Sequence, residues 1–403
     1  MLGLGSALTT GSVHEQMYSL TLDGTGDHLV QENAFTSIIS GTDGFTISTW
    51  LKMPDGQPSS KRYICGTFSA TDKFVIYVST AGLIVVEHEG DNGDVAVWDT
   101  DAAVFADGAI DWTHLAVTVT YNSGGSTAYI IYVDKDVVAS SFTGSERVSA
   151  AEHAAFETGY PFGIGGRSID AAGTVGSTIW TGNLDDFAIF DAVLDSAAIV
   201  AVYNSGKPFD LNYDRGNYDN SSDLQGYWRM GNGPFDDKIQ GVVHDAHNPG
   251  YGAELWDGTD GDDANWVVYA SNTKAEDDGA VKITYVDSTN GAKIILKDAT
   301  DLNTDLTVGA TYRLTWDAKV NTSSVKINTT GIINDTQIVV DSTDFAGYTM
   351  YMIAESTDAD LLFVTHMTTG EIVWIKNISL KKLNGYPGIT VADAAFSTDT
   401  PDD

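Results

Sequence analysis

The stretch Trp112-Thr-His-Leu-Ala-Val-Thr-Val-Thr120 decides the fold class. Leu115, Val117 and Val119 alternate with smaller or polar residues, and a period of two places them on one face of a strand. Tyr121-Asn-Ser-Gly-Gly125 then turns the chain back into Ala128-Tyr-Ile-Ile-Tyr-Val133. Asp134-Lys135-Asp136 turns it again into Val137-Val138-Ala139. Three strands punctuated by Gly, Asn and Asp turns are the beginning of an antiparallel sheet.

The same grammar extends in both directions. Upstream, Phe45, Ile47, Thr49 and Leu51 share one face of a strand, while Thr46, Ser48, Trp50 and Lys52 share the other. Phe74-Val-Ile-Tyr-Val78 and Leu83-Ile-Val-Val86 pair around Ser79-Thr-Ala-Gly82. Downstream, one helix is expected over Ala197–Tyr203, with Asp195 as its N-cap, Asn204-Ser205-Gly206 as its stop and Pro208 beyond. Residues 208–250 read as a loop-rich connector with one short strand. A second strand series begins near residue 251 and includes Tyr312-Arg-Leu-Thr-Trp316 and Ile372-Val-Trp-Ile-Lys-Asn-Ile-Ser-Leu380.

Composition agrees with an all-β chain and narrows the partners. The 403 residues carry 56 Asp plus Glu against 21 Lys plus Arg, a net charge of −35. A field of that sign repels nucleic acid and anionic membrane surfaces. No run approaches the roughly 18 apolar residues that a membrane helix needs. The opening residues Met1 to Leu8 have no basic segment, so no secretory signal peptide is expected. Cys65 is the single cysteine, which excludes an internal disulfide; in the strand Arg62-Tyr-Ile-Cys-Gly66 it reads as a buried, inert thiol.

In order and spacing, Leu20-Thr-Leu-Asp-Gly-Thr-Gly-Asp-His-Leu29, Phe45-Thr-Ile-Ser-Thr-Trp-Leu-Lys52, Trp112-Thr-His-Leu-Ala-Val-Thr118, Gly182-Asn-Leu-Asp-Asp-Phe-Ala-Ile-Phe190 and Tyr203-Asn-Ser-Gly206 form a set. Residues 18–207 thereby resemble a laminin-G-like, concanavalin-A-like jelly roll. Residues 251–385, through Trp266, the Leu306–Trp316 run and the last strand to Leu380, are similar to a jelly roll of the carbohydrate-binding-module type. The pairing resembles structural proteins of tailed-bacteriophage virions. The expected architecture is two tandem jelly-roll β-sandwiches, preceded by an arm over 1–17 and followed by an acidic tail over 386–403.

Several chemistries deserve weighing. Glycoside hydrolysis needs two carboxylates flanking the scissile bond. Glu87 and Glu89 share a strand face, but His88 stands between them where the glucanase pattern has an aspartate. No nucleophile elbow or phosphate-binding loop is present. His244 and His247 have metal-ligand spacing without further partners.

The resemblance implies a structural Ca²⁺ at a sandwich edge, for which Asp23 with Asp27, Asp185 with Asp186, and Asp257 with Asp260 are the candidates. Trp98, Trp180, Trp256 and Trp266 are the candidate glycan platforms. Leu2, Leu4 and Leu8 of the arm are candidate assembly contacts. The expected role is a non-enzymatic virion protein on the exterior surface, a capsid decoration or fibre component, with other virion proteins, further copies of itself and surface polysaccharide as partners. A glycan-binding adhesin and a glycoside hydrolase are the alternatives.

Overall fold

The computed structural model describes residues 16–31, 35–40, 43–69, 72–89, 95–121, 127–144, 160–170, 174–239, 241–256, 266–268, 272–286, 292–296, 302, 306–322, 324–328, 332–333, 338–354, 361–366 and 370–401. The chain divides into two compact units. One is Met1–His247 with Ile389–Asp403; the other is Asn248–Gly388. Both are built of antiparallel sheets, so the expected all-β class stands. The expected tandem order is corrected: the second unit interrupts the first, which resumes after residue 388.

In the first unit, sheet I runs in the order Asp136–Val138, Ala128–Val133, Ile110–Thr120, Phe45–Met53, Thr181–Phe190, Ser19–Asp23 and Ala395–Ser397, with Leu224–Trp228 also paired to Thr181–Phe190. Sheet II runs Ser140–Phe142, Val95–Thr100, Ile84–Glu89, Lys73–Val78, Arg62–Phe68, Phe162–Ile164, His28–Gln31, Gly388–Val391 and Val242–Val243. The alternation read from sequence sets the inner faces. Phe45 of sheet I meets Phe74 of sheet II edge to face at 5.1 Å, and Phe187 meets Phe162 at 6.2 Å. Each such large apolar side chain removed from water stabilises the sandwich by about 1.5–3 kcal/mol.

Sheet I is covered on its outer side as well. The helix Ser196–Tyr203 forms where expected, with the Asp195 carboxylate accepting the Ala198 N–H at 2.8 Å and Asn204 closing it at φ 44°. It buries Ala198, Ile199 and Val202 against Ala116, Tyr132, Ala188 and Phe190. Phe209, Leu211, Tyr218 and Tyr227 join that cluster. The helix with Phe209, Leu211 and Tyr218 thus covers sheet I, while Leu224–Trp228 and Val242–Val243 extend the two sheets. In the glycine run Gly163–Gly166, Gly165 sits at φ 79°, and a Cβ there would lie 2.1 Å from Leu22 Cδ1. Close packing on the core explains this run without a phosphate.

The expected acidic tail is also corrected. Gly388–Val391 joins sheet II between His28–Gln31 and Val242–Val243, and Ala395–Ser397 pairs with Ser19–Thr21 in sheet I. Ile389 is buried, and the short apolar pair of Ile389 and Val391 suffices for a strand where two edges stand unfilled. Of the expected arm, residues 1–15 and with them Leu2, Leu4 and Leu8 lie outside the described residues.

In the second unit, sheet III runs Thr273–Asp277, Ala280–Thr284, Ile372–Leu383, Thr311–Val320, Ala346–Ala354 and Ile332–Ile333, with Tyr251–Glu254 also paired to Ile372–Leu383. Sheet IV runs Trp266–Val268, Ala292–Leu296, Leu361–His366, Val325–Asn328 and Ile338–Val340. The inward residues Tyr312, Leu314, Trp316 and Ala318 of one strand and Val373, Ile375 and Leu380 of its neighbour form the centre of this core. Among the described residues, no helix is long and apolar enough to cross a membrane.

Candidate functional site

On the side of sheet II turned away from sheet I, Tyr63, Val75, Tyr77 and Val85 form a buried cluster, beneath the partly exposed Lys61, Lys73, Glu87 and Glu89. Strand pairing sets Tyr63 opposite Tyr77, Tyr77 opposite Val85, and Val85 opposite Asp99. The next row sets Val75 opposite Glu87, and Glu87 opposite Val97; the row after sets Lys73 opposite Glu89. The Tyr63 and Tyr77 rings meet edge to face at 5.4 Å. Lys61 lies over both rings, its ammonium 5.1 and 4.5 Å from their centroids, and the Arg167 guanidinium lies 4.8 Å from the Tyr63 centroid.

Charge within this face is tightly tied. The Tyr77 hydroxyl donates to Glu87 Oε1 at 2.7 Å, and Lys73 Nζ lies 3.4 Å from Glu87 and 3.2 Å from Glu89. Burial works to raise the Glu87 pKa, but the Tyr77 hydroxyl with Lys73 and Lys61 outweighs it and holds the carboxyl below its usual range. Burial, with the Glu87 contact adding, pushes the Tyr77 phenol up. Glu87 is thus an ionised hydrogen-bond acceptor. A glycosidase acid requires the opposite shift.

The tryptophans expected as sugar platforms occupy different places. Trp180 is 0% exposed and Trp256 6%, so both are corrected to core residues. Each sits where a loop-adjacent position still points inward, which sequence position alone does not reveal. Trp98 is half-buried; its Nε1–H donates to Ser140 Oγ at 2.8 Å, and its ring packs on Tyr129 and Phe142. The side chain of Trp266 lies outside the described residues. Tyr63 and Tyr77, absent from the sequence candidates, are buried as well, and Lys61 with Glu87 and Glu89 is what remains accessible above them. Their signal was the alternation of Lys61, Tyr63 and of Lys73, Val75, Tyr77 on the face of the strands turned away from sheet I.

The acidic candidates also separate. Asp23, Asp27 and Asp393 converge so that one carboxylate oxygen from each lies within 4.8 Å of the others. Asp27 anchors the group, accepting the Asp23 N–H at 2.8 Å and the Asp393 N–H at 3.2 Å. Burial raises the Asp27 pKa, and the carboxylates of Asp23 and Asp393 add to the shift. Oxygen ligands of this kind suit a hard cation. Asp393 went unnoticed because it lies 366 residues from Asp27 in sequence.

Asp185 and Asp186 are corrected from an edge loop to the interior, at 0% and 4% exposure. They occupy a bulge of the strand Thr181–Phe190, with Asp186 at φ 44°, where Asp186 accepts from the Tyr227 hydroxyl and from Gln16. Asp257 and Asp260 lie outside the described residues. His244 is buried and His247 exposed, so that pair does not converge on a common ion. Cys65 is fully buried, and burial raises its thiol pKa.

A small cleft with a volume of about 10 Å³ lies beside the helix, lined by Ser48, Trp50, Asp186, Val202, Pro208, Phe209 and Leu211. Beside it Ser48 Oγ and His114 Nε2 are 2.9 Å apart. Ser48 is 2% exposed and His114 0%, so the pair is sealed beneath Trp50 and Tyr203, whose rings stack at 5.7 Å. A serine nucleophile must instead present Oγ to a substrate carbonyl.

Residues 23–200 match the family described as the concanavalin A-like lectin/glucanases superfamily, in its laminin G form. No curated protein sequence matches the chain. Among solved structures, the chain is similar to the sialidase CBM40 of Ruminococcus gnavus, with 14% identity and a TM-score of 0.34 over 47% of this chain and 98% of that one. It is similar to the SAP-like pentraxin of Limulus polyphemus, with 14% identity and a TM-score of 0.35 over 47% and 82%. The CBM22-1 xylan-binding domain of Paenibacillus barcinonensis Xyn10C gives 7% identity and a TM-score of 0.23 over 34% and 96%.

Proposed function

We propose that the protein is a non-enzymatic adhesive component of a virion exterior, using the outer face of sheet II to hold surface polysaccharide. The observation that carries the glycan reading is the group of partly exposed polar side chains, Lys61, Lys73, Glu87 and Glu89, held over the buried rings of Tyr63 and Tyr77. Carboxylate and ammonium groups fixed in this way take the hydroxyls of a sugar. The match of residues 23–200 to a superfamily of lectins and glucanases agrees with such a use, although fold by itself does not choose a function.

Two further observations support a passive role. Glu87 is held ionised, and Glu89 is paired to Lys73, so neither is disposed to protonate a leaving group. What supports display on a virion is the resemblance of the paired modules and a net charge of −35, which disfavours packing against nucleic acid. Displayed copies are expected to form a symmetric homo-oligomer.

The test is a glycan array with the full chain, followed by a reducing-sugar assay on every glycan retained. Saturable retention without sugar release, lost in Lys61→Gln and Glu87→Gln, is the expected result. A silent array removes the glycan reading, and release of sugar removes the passive one. Antibody labelling of intact particles tests the location; unlabelled particles would count against it.

A further inference from the structure

We propose that the outer face of sheet III, in the second unit, is a separate binding site for an acidic polysaccharide bearing carboxylate or sulfate groups. In the strand Ile372–Leu383, Val373 and Ile375 are fully buried, so Trp374 and Lys376 point to the other side. Strand register places Lys282 directly opposite Trp374 on one flank and Lys319 directly opposite it on the other. Their ammonium groups lie 5.5 and 5.0 Å from the indole centroid. The three strands span about 10 Å across.

The row continues beyond the indole. Lys319 and Lys376 stand over the Phe345 ring at 4.6 and 3.9 Å from its centroid. Further along the Thr311–Val320 strand and on the same side, Arg313 lies over Tyr251 at 5.2 Å. Trp374 and Phe345 are both half-buried.

Fixed and uncommitted charges are distinguishable here. Asp277 accepts the Trp374 Nε1–H at 2.9 Å and pairs with Lys282 at 3.5 Å, which locks the indole in place. Among the described residues, Lys319 and Lys376 have no carboxylate within ion-pair distance. Asp317 stands directly opposite Lys376 in register and Asp277 feels the Lys319 charge, yet neither closes an ion pair with them, so both ammonium groups stay available beside the two rings.

An acidic polysaccharide supplies both halves of the match. Its pyranose C–H faces suit the indole and phenyl rings, and its anionic substituents suit the ammonium groups. Duplex nucleic acid matches only the ammonium groups, because its bases are stacked within the helix and offer no ring face to the indole and phenyl side chains.

The experiment is affinity electrophoresis of the full chain in gels containing polygalacturonate, dextran sulfate, neutral dextran or duplex DNA. Retardation by polygalacturonate, by dextran sulfate or by both, with none by dextran, is expected. Polygalacturonate alone assigns carboxylate as the recognised group, and dextran sulfate alone assigns sulfate. The double variant Lys319→Gln/Lys376→Gln should bind about tenfold more weakly at unchanged thermal stability, a loss of about 1.4 kcal/mol. Trp374→Ala should weaken binding as well.

Equal retardation by dextran, stronger retardation by DNA, no retardation at all, or full binding by the lysine double variant would each overturn the proposal. Lys61→Gln leaves this face intact, so a failure on sheet II and a failure here are read separately.

Discussion

Lys52 Nζ reaches both carboxylate oxygens of Asp399, at 2.9 and 2.7 Å, across 347 residues of chain. The indole N–H of Trp112 donates to the same carboxylate at 2.8 Å. Together they clamp the returning C-terminal segment onto sheet I. Burial works to raise the Asp399 pKa, and the Lys52 and Trp112 contacts overcome it and hold the carboxyl below its usual range. A depressed folded-state pKa contributes stability above the ordinary carboxylate range, lost as pH falls through the depressed value. Asp399→Asn should cost about 1 kcal/mol at neutral pH, a modest figure because both partners are partly exposed and screened. Urea unfolding should show the difference vanish in strong acid; a difference that persists there contradicts the clamp.

The Asp23, Asp27 and Asp393 cluster behaves in the opposite sense. Its carboxylates repel, and the Asp27 pKa is raised, so ionisation of Asp27 weakens the fold as pH rises through that value. Asp393→Asn should therefore stabilise the cation-free protein by about 0.5 kcal/mol. Excess Ca²⁺ should reverse the order, raising the melting temperature of the natural chain and leaving the variant unmoved. Calorimetry with chelator and then with Ca²⁺ reads both arms. Equal responses of the two proteins to Ca²⁺ would remove the cluster from consideration as a cation site.

Trp180 and Trp98 should part company when truncated. Trp180 is fully enclosed, so Trp180→Ala leaves a large cavity and should cost about 3–5 kcal/mol, with no separate effect on glycan retention. Trp98 is only half-buried near the sheet II edge, and Trp98→Ala should cost about 1–2 kcal/mol. Chemical denaturation of the two variants side by side decides this. A Trp180→Ala protein as stable as the natural one would contradict its placement in the core.

Alternation carried much of the architecture. The strands through Phe45–Met53 and Ile110–Thr120 and the helix capped by Asp195 follow directly from period and capping chemistry. What escaped was non-local. Ile389 and Val391 look like part of an acidic tail until an unfilled sheet edge is known, and only the folded chain brings Asp393 to Asp27. Whether a loop-adjacent tryptophan turns inward depends on the opposing sheet, which is why Trp180 and Trp98 read alike in sequence. The sheet II and sheet III faces were half legible: Lys73, Val75 and Tyr77 alternate visibly, but that Lys282 and Lys319 flank Trp374 is a matter of register.

His114 provides a test of the buried polar layer under the helix. Burial pushes its imidazole down to about 4, against the nearby Asp186 charge, which works in the other direction. At neutral pH the ring is uncharged in both folded and unfolded chains, so its contribution to stability is complete above about 6.5. Between that value and about 4 the unfolded chain binds a proton that the folded one refuses, and stability falls with pH. A shift of this size corresponds to roughly 3 kcal/mol as an upper figure. His114→Gln keeps a hydrogen-bonding group toward Ser48 Oγ, which lies 2.9 Å from Nε2 in the natural chain, and removes the titration. Urea unfolding at neutral pH and near pH about 4 should show the natural protein losing more stability than the variant, by a margin approaching that figure. Because every other acid-sensitive group is common to both proteins, parallel losses would mean that His114 is not sealed from the proton, and that the layer beneath the helix opens to solvent.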